Sequence, residues 1–182
     1  EDDEPLGYML ENRTLRQALR EAAVGATGVT LHMPDRAASV ERNETGVHMT
    51  LASGRQIRGQ LLLACEGRKS PTREAAGIRT AKWGYDHVAV ISAFDHTKDH
   101  HNIAHEIFYS AGPFALLPLN PGTRSALVWT VSPKDAEGVL ALSERAFLAE
   151  VTKRAGGLLG EISLAAPRSS YPLDFHHATR IT

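Results

Sequence analysis

The sequence predicts an α+β protein whose sheet is mainly antiparallel. After residue 78 the chain contains four strand-like apolar runs separated by turn signals, which is typical of antiparallel strands. They read "HVAVISAF", "IAHEIFYS", "GPFALLPLN" and "SALVWTVS". Two stretches with apolar residues at helical spacing flank these runs and predict helices. The composition, with 42% hydrophobic and 23% charged residues among 182, is ordinary for a globular protein.

The composition excludes several classes of function. The net charge of −1 gives no basic surplus for binding nucleic acid. No apolar run approaches the roughly 18 residues of a membrane span. The single cysteine, Cys65, excludes an internal disulfide framework and suits a reducing compartment, so we expect a cytoplasmic protein. Because Cys65 lies in an apolar run, we expect its thiol to be buried.

The first third of the chain predicts a helix followed by strands. In "ENRTLRQALREAAVGATG" apolar residues recur at helical spacing and Gly25 suits the stop. "VTLHM" predicts a strand, and residues 37–67 predict a three-stranded meander with turns at 43–46 and 53–54. The third strand, Leu61–Cys65, is continuously apolar, so we expect it to be buried on both faces.

The last third predicts one helix and one strand. Ser143 suits the N-cap of the helix in "LSERAFLAEVTKRAGG", and the glycine pair suits its end. Phe147 and Val151 share a face that we expect to pack on the sheet, although a membrane surface or a partner is the alternative. "RSSYPLDFHHATRIT" predicts a final strand in which His176 and His177 are exposed or partly buried.

The stretch "LLLACEGRKSPTREAAGI", residues 61–78, runs from an apolar strand through a glycine into a helix. Gly67 can take a positive φ and leave room for a ligand. Ser70 suits an N-cap and Pro71 the first helical position. A helix N-terminus binds phosphate well, and basic residues lie beside this one. They are Arg68, Lys69 and Arg73. The alternative is a solvated turn with surface charges.

This stretch resembles the second flavin fingerprint of the class A flavoprotein aromatic hydroxylases. That fingerprint is an apolar strand, Asp-Gly, a short gap, Ser, and an Arg on the next helix. The match lies at Gly67, Ser70 and Arg73, whereas Glu66 stands where the family usually has Asp. The extra methylene moves this carboxylate further from the glycine amides. In the family the fingerprint lies beside the FAD pyrophosphate and the NAD(P)H path, so the resemblance implies that all four residues bind cofactor.

Further segments resemble one branch, the ubiquinone-biosynthesis hydroxylases, from about residue 6 to the end. "LGYMLENRTLRQAL" is similar to the branch's flavin-contacting segment, which implies that Arg13 touches the flavin. "WGYDHVAVISAFDH" is similar to the strand after the fingerprint, with Trp83 and Tyr85 in place. "AHEIFYSAGPFALLPLNPGTRSALVW" is similar to the long hairpin of the substrate domain.

The resemblance implies a fold like that of p-hydroxybenzoate hydroxylase (PHBH-like), with remnants of a Rossmann-type FAD domain. Residues 1–78 would form part of the FAD domain, 79–170 the substrate-binding domain, and 171–182 the return to the FAD domain. It also implies a reaction: a flavin C4a-hydroperoxide, formed with NAD(P)H and oxygen, hydroxylates the ring of a polyprenylated phenol. We identify no catalytic base.

An apolar run fits a wall over the flavin's reactive face, which the resemblance implies would bind substrate. Its residues are Phe114, Leu116, Leu117 and Pro118. Ordinary core packing is the alternative for each of them. The resemblance further implies association with other ubiquinone-pathway proteins and peripheral contact at the inner face of the membrane.

Two family motifs are absent from the sequence. There is no Gly-x-Gly-x-x-Gly turn, and no Gly-Asp fingerprint. We therefore expect a middle fragment lacking both ends, inactive and free of FAD when isolated; whether such a cut is natural stays open. Two other functions stay open: hydroxylation of another small aromatic, and a flavin-free lipid-binding or assembly module.

A histidine cluster in polar text is the remaining candidate for chemistry. It comprises His96, His100, His101 and His105. Spacing alone does not give the geometry that a metal site needs. We expect a surface loop and no metal.

Overall fold

The computed structural model describes Pro5 and residues 7–182, and it has the α+β architecture with antiparallel sheets that the sequence predicts. The chain forms two compact units. The first comprises residues 83–175 with the described part of 1–14, and the second comprises residues 15–82 and 176–182. The helix α1 is Asn12–Gly25, where the sequence predicts it.

The first unit is built on a five-stranded sheet with the order β5-β6-β7-β4-β8. Its strands are β4 Thr80–His96, β5 His105–Tyr109, β6 Gly112–Leu119, β7 Arg124–Val131 and β8 Ile162–Ala178. The four predicted strand runs are therefore confirmed. The final strand is confirmed too, although it begins at Ile162, six residues before the predicted Arg168. His176 is half-buried and His177 exposed, as expected.

Two capped helices accompany this sheet. In α4, Glu144–Ala155, the Ser143 hydroxyl accepts from the Ala146 amide (3.2 Å), and Gly156 ends the helix with φ of 59°. Both ends are as predicted. The helix α3, Pro133–Ala141, was not predicted, although the sequence contains a pattern that indicates where it begins. Ser132 caps it and Pro133 opens it, the same Ser-Pro pattern that begins at Ser70.

Side chains at alternate positions of the strands form the core of this unit together with α4. Phe147 of α4 is completely buried, and its ring centroid lies 6.1 Å from those of Phe94 and Trp129. The guanidinium of Arg154 lies over the Trp129 ring, 4.3 Å from the ring centroid. The prediction that the apolar face of α4 packs on the sheet is confirmed, with Phe147 and Val151 in the core.

The prediction of a surface loop is wrong for two histidines of the cluster, because His96 and His100 are buried. Nδ1 of His96 donates to the Lys98 carbonyl (2.7 Å) and Nε2 contacts the Ser125 hydroxyl (2.9 Å). Nε2 of His100 donates to the Leu119 carbonyl (2.8 Å). Both rings tie the loop after β4 to its neighbours. The polar residues that flank these histidines in the sequence favoured a surface loop. Both rings can nevertheless be buried, because each forms hydrogen bonds inside the protein.

The second unit contains the predicted meander in the order β1-β2-β3. Its strands are β1 Ala37–Asn43, β2 Gly46–Leu51 and β3 Gln56–Gly59. Gly46 turns the chain between the first two with φ of 137°, and a Cβ there would lie 2.5 Å from the carbonyl oxygen of Gly59. Only glycine fits that position without strain.

Two predicted strands of this unit are wrong. "VTLHM" at residues 29–33 forms no strand, and the third strand of the meander is Gln56–Gly59 rather than Leu61–Cys65. The side chains of Leu61 and Leu63 are 75% and 74% exposed. Cys65 is exposed as well, so its expected burial is also wrong. A buried strand needs neighbours on both sides, and residues 61–65 pair with no strand in the part of the chain that the structure describes.

Neither α1 nor the other helices within residues 7–182 have the length and apolarity that crossing a bilayer requires. No side chain of α1, all of whose residues the structure describes, is buried. Its predicted apolar positions, Leu15 and Leu19, are 40% and 60% exposed.

We predict that Phe147→Ala lowers the free energy of unfolding of the first unit by about 3–5 kcal/mol, because it leaves a cavity between α4 and two aromatic rings. Urea denaturation, monitored by circular dichroism, measures the loss of unfolding free energy. Ala149→Ser, at an exposed position of the same helix, is the control and should change stability by less than about 0.5 kcal/mol. A loss below about 1 kcal/mol for Phe147→Ala would contradict this account of the core.

Candidate functional site

The turn at residues 66–73 in the second unit brings four of the sequence-predicted site residues together. Gly67 adopts φ of 76°, a left-handed conformation that favours glycine. The predicted short helix is confirmed as α2, Pro71–Ala75, with Ser70 as its N-cap and Pro71 at its first position. The sequence pattern therefore folds locally as its residue types dictate.

Glu66 holds the turn closed. Its Oε2 accepts from the Ser70 hydroxyl (2.5 Å) and from the Thr72 amide (3.1 Å). The Ser70 hydroxyl in turn accepts from the Arg73 amide (3.1 Å), and Ser70 is only 3% exposed. The longer side chain of Glu66 thus reaches across to cap α2. The amides of Thr72 and Arg73 therefore donate to the side chains of Glu66 and Ser70. Neither amide is available to donate a hydrogen bond to a phosphate.

The same bonds make the carboxylate form of Glu66 the stable one. The hydrogen bond from Ser70 lowers the pKa of Glu66 most, with the Thr72 bond and the charge of Arg73 acting in the same direction. A group whose pKa falls on folding stabilises the fold above its unfolded pKa, which is 4.5 for this residue type. That stabilisation is lost as the pH falls through the folded pKa.

Arg73 fixes the other side of the turn. Its Nη1 donates to the Gly67 carbonyl (3.2 Å) and its Nη2 to the Arg68 carbonyl (2.7 Å). Its Nε is buried and has no acceptor among the residues that the structure describes. A Cβ on Gly67 would meet nothing within 4 Å, so one side of the turn is open. An orphaned donor beside an open glycine fits an acceptor group such as a cofactor oxygen placed against Gly67.

A cavity of about 670 Å³ lies next to this turn, between it and the first strand of the meander. Glu66 and Thr72 line one side, and Arg36 and Arg42 line the other. The remaining predicted cofactor residue, Arg13, lies in the first turn of α1 and is exposed.

In the first unit, the sheet face opposite the helices carries a continuous apolar surface. Side chains on neighbouring strands lie opposite one another in two rows. The rows are Ile91, Val128 and Ala115, and Ala93, Ala126 and Leu117. All six residues are half-buried. We call these six residues the helix-free face; Leu117 is the member of it that the sequence predicts to bind substrate.

The strand alternation separates the predicted substrate-binding residues. Phe114 and Leu116 are completely buried in the core on the helix side, so core packing describes them better than a substrate contact. Leu117 belongs to the helix-free face, and Pro118 beside it is half-buried. A substrate role stays a prediction for these two. Period-two alternation along β6 and β7 is the signal that could have found the other five residues of the face.

An ion pair lies at one end of the helix-free face. Nε and Nη2 of Arg124 donate to the two carboxylate oxygens of Asp95 (2.7 and 3.0 Å). These hydrogen bonds lower the pKa of Asp95 and raise that of Arg124. Asp95 and Arg124 face each other directly in the register of β4 and β7. The face is therefore apolar in its middle and charged at this end.

Within residues 7–182 no group of three or more His, Cys, Asp or Glu side chains is placed to hold a metal ion. The buried His96 and His100 each use ring nitrogens in protein hydrogen bonds.

Comparison with known proteins gives one family and several relatives. The family model described as FAD binding domain matches residues 5–169. Ubiquinone hydroxylase UbiL of Rhodospirillum rubrum is 41% identical over 97% of this chain, and 3-demethoxyubiquinol 3-hydroxylase of Escherichia coli is 31% identical over 95%. These matches confirm the resemblance to ubiquinone-biosynthesis hydroxylases. The chain spans only 41% and 44% of the length of those two relatives.

The fold likeness extends to solved structures. The crystal structure of the flavin-dependent monooxygenase PieE in complex with FAD and substrate superimposes with a TM-score of 0.69 at 19% identity. The match covers 94% of this chain and 31% of PieE. The PHBH-like fold expected from the sequence is confirmed.

We predict that Ser70→Ala destabilises α2 by about 1 kcal/mol, the usual cost of losing an N-cap. We also predict that Glu66→Gln abolishes the pH dependence of hydrogen-exchange protection at the start of α2 below about pH 4.5. The side-chain amide of Gln keeps the shape of the carboxylate and loses its charge. Hydrogen-exchange protection factors of the Thr72 and Arg73 amides, compared at pH 6 and pH 3, measure both effects. Glu74→Gln, an exposed acid in the same helix, is the control. Equal pH dependence in the Glu66 and Glu74 variants would disprove the role of Glu66.

Proposed function

Because the chain belongs to the FAD binding domain family, we propose that it forms the middle of an FAD-dependent monooxygenase that hydroxylates the aromatic ring of a polyprenylated ubiquinone precursor. The observation that carries this proposal is the sequence identity of 41% and 31% with two ubiquinone-biosynthesis hydroxylases over nearly the whole chain. Two structural features agree with it. In the second unit, the hydrogen-bonded turn at residues 66–73 is open at Gly67, and in the first unit the helix-free face is apolar.

The turn at residues 66–73 would support FAD. Gly67 would approach the cofactor through its open side, and the unpartnered Arg73 Nε would supply a donor. Glu66 and Ser70 would act as positioning residues, because their polar atoms are already engaged with each other. Arg13 would provide a further cationic contact, as the resemblance implies. When bound and reduced by NAD(P)H, FAD would supply the oxygen activation, since no protein side chain performs that chemistry.

The helix-free face would cover the substrate ring. Leu117 and Pro118, together with Ile91 and Val128, offer an apolar, half-buried surface that excludes water from one side of a planar ring. The charged pair of Asp95 and Arg124 would bound the apolar region and orient a polar ring substituent. These residues would position the substrate and keep the site dry.

The setting of the enzyme belongs to the same proposal. A substrate with a polyprenyl tail partitions into lipid, so the full-length protein would act in the cytoplasm with peripheral contact at the inner face of the membrane. Other enzymes of the ubiquinone pathway would be its partners, since they supply and consume such substrates.

We predict that the full-length protein binds FAD and that Gly67→Ala weakens this binding about 5- to 30-fold. A left-handed conformation costs an alanine roughly 1–2 kcal/mol, so the variant turn would leave the geometry that meets the cofactor. Gly54→Ala is the matched control: Gly54 lies in the meander with φ of 85°, and a Cβ there also meets nothing within 4 Å. Flavin fluorescence quenching gives the dissociation constants. Equal losses of affinity in the two variants would show strain without a cofactor contact.

Turnover tests the proposed reaction itself. The full-length protein should oxidise NAD(P)H when a prenylated phenol is present and add one oxygen atom to it, as mass spectrometry would detect. The 182-residue chain alone should bind no FAD, because its sequence holds no Gly-x-Gly-x-x-Gly turn. Saturable FAD binding by this chain alone would refute that part, and a full-length protein without hydroxylase activity on any prenylated phenol would refute the function.

A further inference from the structure

Beyond the part of β4 that pairs with β7, Val88–Asp95, strands β4 and β8 continue as a two-stranded ribbon in the first unit. The rings of Trp83 and Phe175 stack across it with centroids 3.9 Å apart and 15° between planes. Further along, the Ser92 hydroxyl donates to the Ala166 carbonyl (2.8 Å). Between these contacts each strand advances by nine residues, in opposite directions. The strands are therefore antiparallel and keep one register, with no extra residue in either.

One face of the ribbon is aromatic and the other is polar. Side chains alternate between the faces of a strand, so the odd-numbered residues of the ribbon share a face. On it lie Trp83, Tyr85, Tyr171, Leu173 and Phe175, together with the exposed His87. The acidic residues Asp86 and Asp174 are even-numbered and belong to the opposite face. We call the residues Trp83, Tyr85, Tyr171, Leu173 and Phe175 the aromatic track.

The aromatic track is exposed in this chain, which spans 41% of the length of ubiquinone hydroxylase UbiL. Trp83 is 51% exposed, Tyr85 50% and Tyr171 45%. Large apolar surfaces that face water usually mark a binding site. The two tyrosines lie outside the ring stack, so their exposed rings are available to a ligand.

The aromatic track continues the helix-free face. Ile91 and Ala93 of that face are odd-numbered residues of β4, as Trp83 and Tyr85 are. From Trp83 to Ile91 the strand covers eight residues, or about 26 Å at the usual rise. On the same side of β4, the exposed His87 and the completely buried Ala89 lie between the track and Ile91. A ligand whose ring lies on the helix-free face could extend along this side of β4, over the positions of Ala89 and His87, to reach the track.

We propose that the aromatic track binds the polyprenyl tail of the substrate and sets the preference for long-tailed phenols. This inference rests on the proposed function and assigns the tail a place within it. A polyprenyl chain is apolar, unbranched apart from its methyl groups, and several isoprene units long. It needs an extended apolar surface that leads away from the ring, and the track is such a surface on the same side of β4 as the helix-free face.

The test compares two substrates that share one ring and differ only in tail length, one isoprene unit against at least six. In the full-length protein, Tyr85→Ser and Tyr85→Ser/Tyr171→Ser remove exposed rings without touching the Trp83–Phe175 stack. We expect the double variant to raise the ratio of KM for the long-tailed to KM for the short-tailed substrate about tenfold, with kcat unchanged. Asp86→Ser, on the polar face of the same strand, is the matched control and should leave the ratio within twofold of the parent protein.

Other results would contradict the proposal. An unchanged ratio in the double variant, or equal rises in KM for both substrates, would overturn the proposal. A loss of binding to lipid vesicles with an unchanged ratio in detergent would also overturn it, and would assign the track to the membrane surface instead.

A second readout separates this inference from the reaction. A long-tailed phenol with a photoreactive diazirine at the end of its tail should label peptides from residues 79–90 or 166–178 of the full-length protein, and the double variant should reduce the labelling. Labelling there with no hydroxylation of any prenylated phenol would refute the proposed reaction but support the track. Hydroxylation with labelling elsewhere would refute the track alone.

Discussion

The alternation of side chains along β4, β6 and β7 is the constraint on which the first unit depends. A strand turns successive side chains to opposite faces of its sheet, so one set of residues must face the helices and the next set must face away. Phe94, Leu116 and Trp129 meet α4 in the core. Ala93, Leu117 and Val128 form the helix-free face, and a slip of one residue in any strand would exchange the two sets.

This constraint also explains the division of labour inside the proposed site. Large aromatic and branched residues fill the helix side, where packing stabilises the unit. Small residues such as Ala93, Ala115 and Ala126 leave the other side flat, which suits contact with a planar ring. In the second unit the corresponding device is the turn of Glu66, Ser70 and Arg73, where hydrogen bonds hold the backbone open at Gly67.

The parts of the fold that local signals determine were predictable from the sequence. Ser70, Ser143 and Gly67 have the roles that their residue types indicate, because caps and left-handed turns involve only neighbouring residues. Residues 29–33 and 61–65 were predicted wrongly, since a strand exists only where another strand pairs with it. Sequence could likewise not show that the carboxylate of Glu66 reaches both Ser70 and Thr72, because that depends on the three-dimensional path of the turn. The burial of His96 and His100 depends on hydrogen bonds to residues as distant as Leu119 and Ser125.

The most direct measurement is the KM for a prenylated phenol in the full-length protein carrying Ala126→Trp, at the centre of the helix-free face. The account predicts a KM more than tenfold higher with FAD occupancy unchanged, because the indole would occupy the surface proposed for the ring. Ala149→Trp, at an exposed position of α4, should leave the KM as it is. An unchanged KM in the Ala126 variant, with the protein folded and loaded with FAD, would show that the substrate ring binds elsewhere.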